Sequence, residues 1–325
     1  MTDDGITVPE GKLATFPNYN ALQRSVLPVF AKVGNRMLGR GSAVCVAPGL
    51  FVTARHVVAE LDDGQPAEWT VPFEQMWVYL ETDQATASDP DAIYGGLLDV
   101  LFANPHSETD LATLTVDMVG KSAEWVRPVA LGLRMPDIGE QIDCFGYDLA
   151  SAEGELDANN ITLILERRLS VSTGRVVEQQ PTRRLGGYHR TSPGFRTNTA
   201  TPSGMSGGPV FDSNFEVIGF NSGSTEPSDD YPEWDSFVSG VAAALELNFV
   251  VLNTDNAPDG IADGSTAAAG VAERAIQFAQ LVGENRIACQ IYDAFYVDPQ
   301  TGSAGYLLPS SPVAGEADNE LIEPN

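Results

Sequence analysis

Apolar residues in this chain come in short runs broken by polar, Gly- and Pro-rich stretches, the spacing of strands joined by turns. Residues 19–34 carry Leu22, Val26, Leu27, Val29 and Phe30, which should enter a core. Residues 41–58 read as a strand, a Pro-Gly turn and a second strand, with His56 at the second strand's end. A polar loop ends at Asp110, and the alternating Leu-Ala-Thr-Leu-Thr-Val that follows predicts a strand. Polar or acidic loops are expected over 60–70, 82–92, 148–160, 180–197 and 223–236, then a strand over 237–241. Beyond residue 256 the composition changes. Thr266 to Val282 predicts a helix, with Ser265 as its N-cap and Val271, Ala275, Phe278 and Val282 on one stripe. Ile287 to Val297 has strand character, and residues 1–17 and 309–325 read as loose polar ends.

One turn among these strands carries chemistry: Thr201-Pro-Ser-Gly-Met-Ser-Gly-Gly-Pro-Val-Phe211. A serine hydroxyl needs a base within reach and donors for the oxyanion it creates. Glycines at 204, 207 and 208 let the backbone bend and aim the amides of Gly204 and Ser206 at one point. Gly-Met-Ser-Gly-Gly also fits the elbow of the α/β-hydrolases, which requires a histidine after the serine. All three histidines, His56, His106 and His189, precede Ser206. The order Asp, His, Ser would have only Asp3 and Asp4 before His56, in a polar stretch unsuited to a core. The order His, Asp, Ser survives, with His56 as base, Asp110 as its orienting carboxylate and Ser206 as nucleophile. Asp99 and Asp117 flank the same region and compete with Asp110.

Charge and cysteine usage narrow the setting. The 325 residues suffice for a two-lobed domain and a small extension. A formal charge of −27 with only three lysines argues against nucleic acid and against anionic membranes, and suits high solubility or a basic partner. No apolar run reaches membrane-spanning length, and no signal peptide is read at the N-terminus. Cys45, Cys144 and Cys289 are widely spaced and form neither a disulfide framework nor a metal-ligand pattern, which points to a reducing cytoplasm. Asp255, Asp259, Gly260 and Asp263 match some positions of a calcium loop, but Ala257, Pro258 and Thr266 break it. No metal and no cofactor are expected.

Thr-Ala-Arg-His56, Asp110-Leu-Ala and Gly-Met-Ser206-Gly-Gly-Pro resemble the three signatures of the trypsin-like serine proteases, most closely the bacterial HtrA/Deg-type protease domain. Gly139 to Tyr147, Ser170 to Val177 and Phe215 to Ser222 resemble further strands of that family in the same order. The resemblance covers about residues 28–250 and implies an all-β fold: two antiparallel β-barrels of the chymotrypsin type with the site between them and a short helical C-terminal extension. It divides the chain into a loose segment 1–17, a protease domain 18–255 split near 130, and an extension 256–325 with one helix and an acidic tail. Met205 stands where animal trypsins carry an aspartate, so activation by a freed N-terminus is not expected. No PDZ domain is read after the protease region. The resemblance also implies an oxyanion hole at Gly204 and Ser206, and a substrate pocket walled by Ala200, Thr201, Ser203, Phe220, Asn221, Ser222 and Gly223. Without a carboxylate near Ala200 and Thr201, and with Phe220 shortening the pocket, a small or medium uncharged P1 residue is expected. The expected function is an intracellular serine endopeptidase acting on a protein or peptide substrate, as a regulated effector or processing protease with a possible activating protein partner. The alternative is a protease-fold binding module with little turnover.

Overall fold

The computed structural model describes residues 10–15, 22–33, 36–59, 75–82, 94–118, 125–157, 160–180, 193–229, 232–252, 273–291, 295–297 and 304–306. A short strand β1 (Leu13–Thr15) precedes two closed barrels. The first comprises β2 (Val26–Val33), β3 (Arg36–Ala47), β4 (Leu50–Ala54), β5 (Met76–Thr82), β6 (Tyr94–Pro105) and β7 (Leu111–Val116). Its hydrogen-bonded order is β3-β2-β5-β6-β7-β4, and β4 returns to β3. After β8 (Leu131–Leu133), the second barrel comprises β9 (Gln141–Asp157), β10 (Asn160–Gln180), β11 (Gly194–Thr197), β12 (Pro209–Phe211), β13 (Val217–Thr225) and β14 (Asp235–Gly240). Its order is β10-β11-β14-β13-β12-β9, closed by β9 on β10. The expected all-β double barrel is therefore the fold.

Period-two alternation builds both the barrel interior and the contact between barrels. On β3, Ala43 and Cys45 join Leu27, Val29, Phe51 and Leu114 inside the first barrel. Val44 and Val46 point the other way and, with Val52 and Leu111, merge into the core of the second lobe. The β3–β4 wall thus serves two cores, and its Ser42 amide donates to the Ser206 carbonyl at 2.8 Å. A direct backbone bridge, Leu38 opposite Ser151, also joins β3 to β9.

Three expectations change. The stretch 148–160 is not a loop: β9 and β10 run on as a two-stranded ribbon paired as far as Asp157 and Asn160. The helix expected over 266–282 is restricted, within the described residues, to α3 (Phe278–Gly283), which follows the one-turn helices α1 (Arg55–Val58) and α2 (Val241–Ala244). Glu273–Gln277 is instead strand β16, paired with β15 (Asn248–Leu252). Burial of Ile276 and a stacked Phe249–Phe278 pair at 5.9 Å favour this over the helical period. Residues 13–15, read as loose, pair with Ser170–Ser172. Later, β17 (Cys289–Ile291) pairs in parallel with β8, and β18 (Phe295–Val297) pairs with β19 (Ala304–Tyr306). The acidic loop at 60–70, nearly all of that at 82–92, His189, the calcium-like stretch and the acidic tail lie outside the described residues.

Candidate active site

β4 ends at Ala54 and α1 begins at once, so His56 projects from a rigid junction rather than a free loop. β7 opens at Leu111, directly after Asp110, and the Asp110 carbonyl accepts the Arg55 amide at 3.2 Å. These two strands are neighbours, with Ala54 opposite Leu111. The pairing brings His56 Nδ1 to 3.1 and 3.0 Å from the two carboxylate oxygens of Asp110. The His56 amide donates to the same carboxylate at 3.3 Å. A carboxylate only accepts, so Nδ1 carries a proton and neutral His56 presents Nε2 as the basic nitrogen. Burial pulls the His56 pKa down; the charge and hydrogen bond of Asp110 push it up; Arg40 opposes them, and the net is a raised pKa. Arg40 reaches the carbonyls of His56 and Val57 at 3.3 and 3.4 Å. Asp99, one of the competitors, instead accepts from Gln75 at 3.1 Å on the surface.

Ser206 lies on a doubly constrained turn. The Met205 amide donates to the Pro202 carbonyl at 3.1 Å, and Gly204 has φ of +100°. Together these define a type II turn with Gly204 at the position that requires positive φ. Gly207 has φ of +82°, and a Cβ there would lie 2.2 Å from the Ser42 carbonyl oxygen. The turn therefore presses directly on β3 of the first lobe. Gly204 and Ser206 flank Met205, which is fully buried. The Ser206 hydroxyl donates to the Ser222 carbonyl at 3.3 Å rather than to His56.

The expected pocket residues divide. Ala200 and Thr201 are buried, and the Thr201 hydroxyl meets that of Ser236, which donates onward to the Thr199 carbonyl at 2.7 Å. Ser224 donates to the Thr201 carbonyl at 2.6 Å. Ser203 is exposed on the turn, and Gly223 is half-buried where the β13–β14 register shifts. Phe220 is fully buried in the second core. Asn221 donates to the carbonyls of Phe145 and Met205 at 3.0 and 3.4 Å, stapling the turn to β9. Ser222 donates its hydroxyl to Asp110. Sequence reasoning missed the roles of Ser42, Ser224 and Ser236, because isolated serines in strands carry no periodic signal.

A separate cavity of about 560 Å³ lies on the second lobe, lined by residues that include Val177, Arg196, Thr225, Trp234 and Asp235. Arg196 is forked onto Asp235 and also reaches Glu178, and no residue of the candidate triad lines this space. Among the described residues no cluster of three or more His, Cys, Asp or Glu could hold a metal, and no helix is long and apolar enough to cross a membrane.

Residues 41–220 match the family model of the trypsin-like peptidase domain. No curated protein matches the chain. Among solved structures, the active form of the Rv3671c protease from M. tuberculosis is similar at 16% identity, over 71% of this chain and 85% of that one, with a TM-score of 0.43. Deg5 is similar at 18% identity, over 69% of this chain and 86% of that one, with a TM-score of 0.41.

Proposed function

The chain belongs to the trypsin-like peptidase domain family and is a serine endopeptidase, and from that premise we propose that Ser206, His56 and Asp110 carry out its chemistry. The observation that carries this reading is His56 Nδ1 facing both oxygens of Asp110 at 3.1 and 3.0 Å. Ser206 Oγ attacks the peptide carbonyl carbon and passes its proton to His56 Nε2. The oxyanion takes hydrogen bonds from the Gly204 and Ser206 amides. The imidazolium, stabilised by Asp110, then protonates the departing amine, leaving an acyl-enzyme. Water, deprotonated by His56, releases the acid and restores the serine.

The Ser206 hydroxyl must leave the Ser222 carbonyl before it can meet His56. That resting hydrogen bond supports the reading of a regulated effector that reaches full competence with its substrate or an activating protein partner. Met205, buried among apolar side chains, supplies no charge for a freed N-terminus to pair with, so the chain acts without cleavage there. Hydroxyls of Thr201, Ser224 and Ser236, with no carboxylate among them, favour an uncharged P1 residue. All three cysteines are free, which supports a cytoplasmic setting.

A fluorophosphonate probe tests the reading. The full-length protein, with partner present if needed, should label at Ser206, and Ser206→Ala should abolish labelling and cut peptide turnover by about 10⁵ or more. Full peptidase activity in Ser206→Ala would sink the assignment, and an unlabelled, inactive wild type would favour a binding module.

A further inference from the structure

Ser42 is fully buried on β3 of the first lobe, yet its polar groups serve the nucleophile turn of the second. Its hydroxyl donates to the Gly204 carbonyl at 2.9 Å and accepts the Tyr147 amide at 2.8 Å. Its own amide donates to the Ser206 carbonyl at 2.8 Å. Its carbonyl accepts the Thr53 hydroxyl at 2.6 Å, which ties it to the strand leading to His56. A hydroxyl has one proton to give, and here the single donation goes to the residue whose amide is the proposed oxyanion donor. Gly204 is pressed from the other direction too, since a Cβ on it would lie 2.5 Å from the Tyr147 carbonyl oxygen.

The neighbours of Ser42 complete the arrangement. A Cβ on Gly41 would lie 2.5 Å from the Val57 side chain and 2.8 Å from the Ser206 carbonyl oxygen, so β3 is wedged between α1 and the turn. Residues 40–42 are thus the spacer that sets His56 against Ser206. We propose that Ser42 is a positioning residue that holds the oxyanion donors of the second lobe in register with the base of the first. It does not touch substrate; it acts through Gly204. An oxyanion donor works only within about 2.7–3.1 Å of the developing charge, and displacement of about 1 Å costs roughly 10²-fold. Without the hydroxyl, the part-buried Gly204 carbonyl and the buried Tyr147 amide lose their shared partner and the turn shifts to replace it.

The proposal rests on Ser206 and Gly204 acting as described above, and the test separates the two. Ser42→Ala and Ser42→Cys are compared with wild type by active-site titration, by kcat and KM on a peptide the wild type cleaves, and by inhibition with a peptidyl trifluoromethyl ketone, whose hemiketal oxyanion occupies the hole. In Ser42→Ala, kcat per titrated site should fall about ten- to hundredfold with KM within about twofold, and inhibition by the ketone should weaken by a similar factor. Ser42→Cys, with a weaker donor, should lie between. A kcat per titrated site equal to wild type in either variant overturns the proposal, even if fewer sites titrate, because that is the result of a purely structural serine. If Ser42→Ala does not fold, Ser42→Cys decides by the same criterion. A wild type that never titrates overturns the triad reading and this proposal with it.

Discussion

Replacing Asp110 with asparagine changes one atom and should disable the proposed base. The carboxylate accepts from three donors: His56 Nδ1, the His56 amide and the Ser222 hydroxyl. Asparagine keeps one accepting oxygen and adds a donating amide. If that amide faces Nδ1, the imidazole proton is driven to Nε2 and the base can no longer take the Ser206 proton. If the oxygen faces Nδ1, the amide confronts the His56 N–H or the Ser222 hydroxyl. Loss of the right tautomer costs about 10⁴ in kcat in such triads, or about 5 kcal/mol at 1.36 kcal/mol per tenfold. Direction on the pH axis is also set. The two influences that raise the His56 pKa both come from Asp110, whereas burial and Arg40 lower it. The acidic limb of kcat/KM, which follows deprotonation of His56, should sit on the high side of the ordinary histidine range in the wild type and move down in Asp110→Asn. Arg40→Ala is the opposing control and should move it up. The assay is kcat/KM against pH on one peptide, with probe labelling to count competent sites. More than a tenth of wild-type kcat in Asp110→Asn, or a limb that moves up, would refute this reasoning.

Two further outcomes are expected. Phe220→Ala should lower stability by about 3–5 kcal/mol in urea unfolding, as for a large core side chain, while leaving P1 preference per titrated site unchanged; broader acceptance of large P1 residues would instead return Phe220 to the pocket. Peptides with basic flanks should be cleaved faster than acidic-flanked ones at low salt and converge at high salt, because Glu226, Asp229 and Glu233 on the β13–β14 connection are exposed, each contributing at most about 1 kcal/mol; equal kcat/KM at low salt would remove that steering.

The parts of the site that were legible in the sequence are those whose geometry is local. A Pro-Gly turn between two strands delivers His56 to a strand end, and glycines at 204 and 207 announce the positive φ that the nucleophile turn needs. What was not legible depends on which face a strand presents. Phe220, Asn221 and Ser222 were all read as pocket wall, but Phe220 is buried in the core and Ser222, at the register shift, reaches Asp110. The register shift between Asn221 and Gly223 leaves Asn221 under the turn. Composition also misled at 148–160, where a polar ribbon reads as a loop because the residues alternating with its polar ones are mostly Ala and Gly, too small to signal a strand. At 273–277, pairing with β15 outweighed a helical stripe.

The same distinction explains how catalysis depends on the fold. Each lobe contributes residues that its own sequence signature reveals: His56 and Asp110 from the first, Ser206 and its glycines from the second. Neither lobe holds all three residues of the proposed triad. Registration across the cleft falls to Ser42 on the turn, Ser222 on Asp110 and the shared β3–β4 wall, all set by contacts more than a hundred residues apart in the chain. The sequence can therefore announce the reaction in each half. Whether the serine meets its base depends on how the two barrels dock, and the Ser206 hydroxyl resting on Ser222, itself bonded to Asp110, places that decision at the lobe boundary.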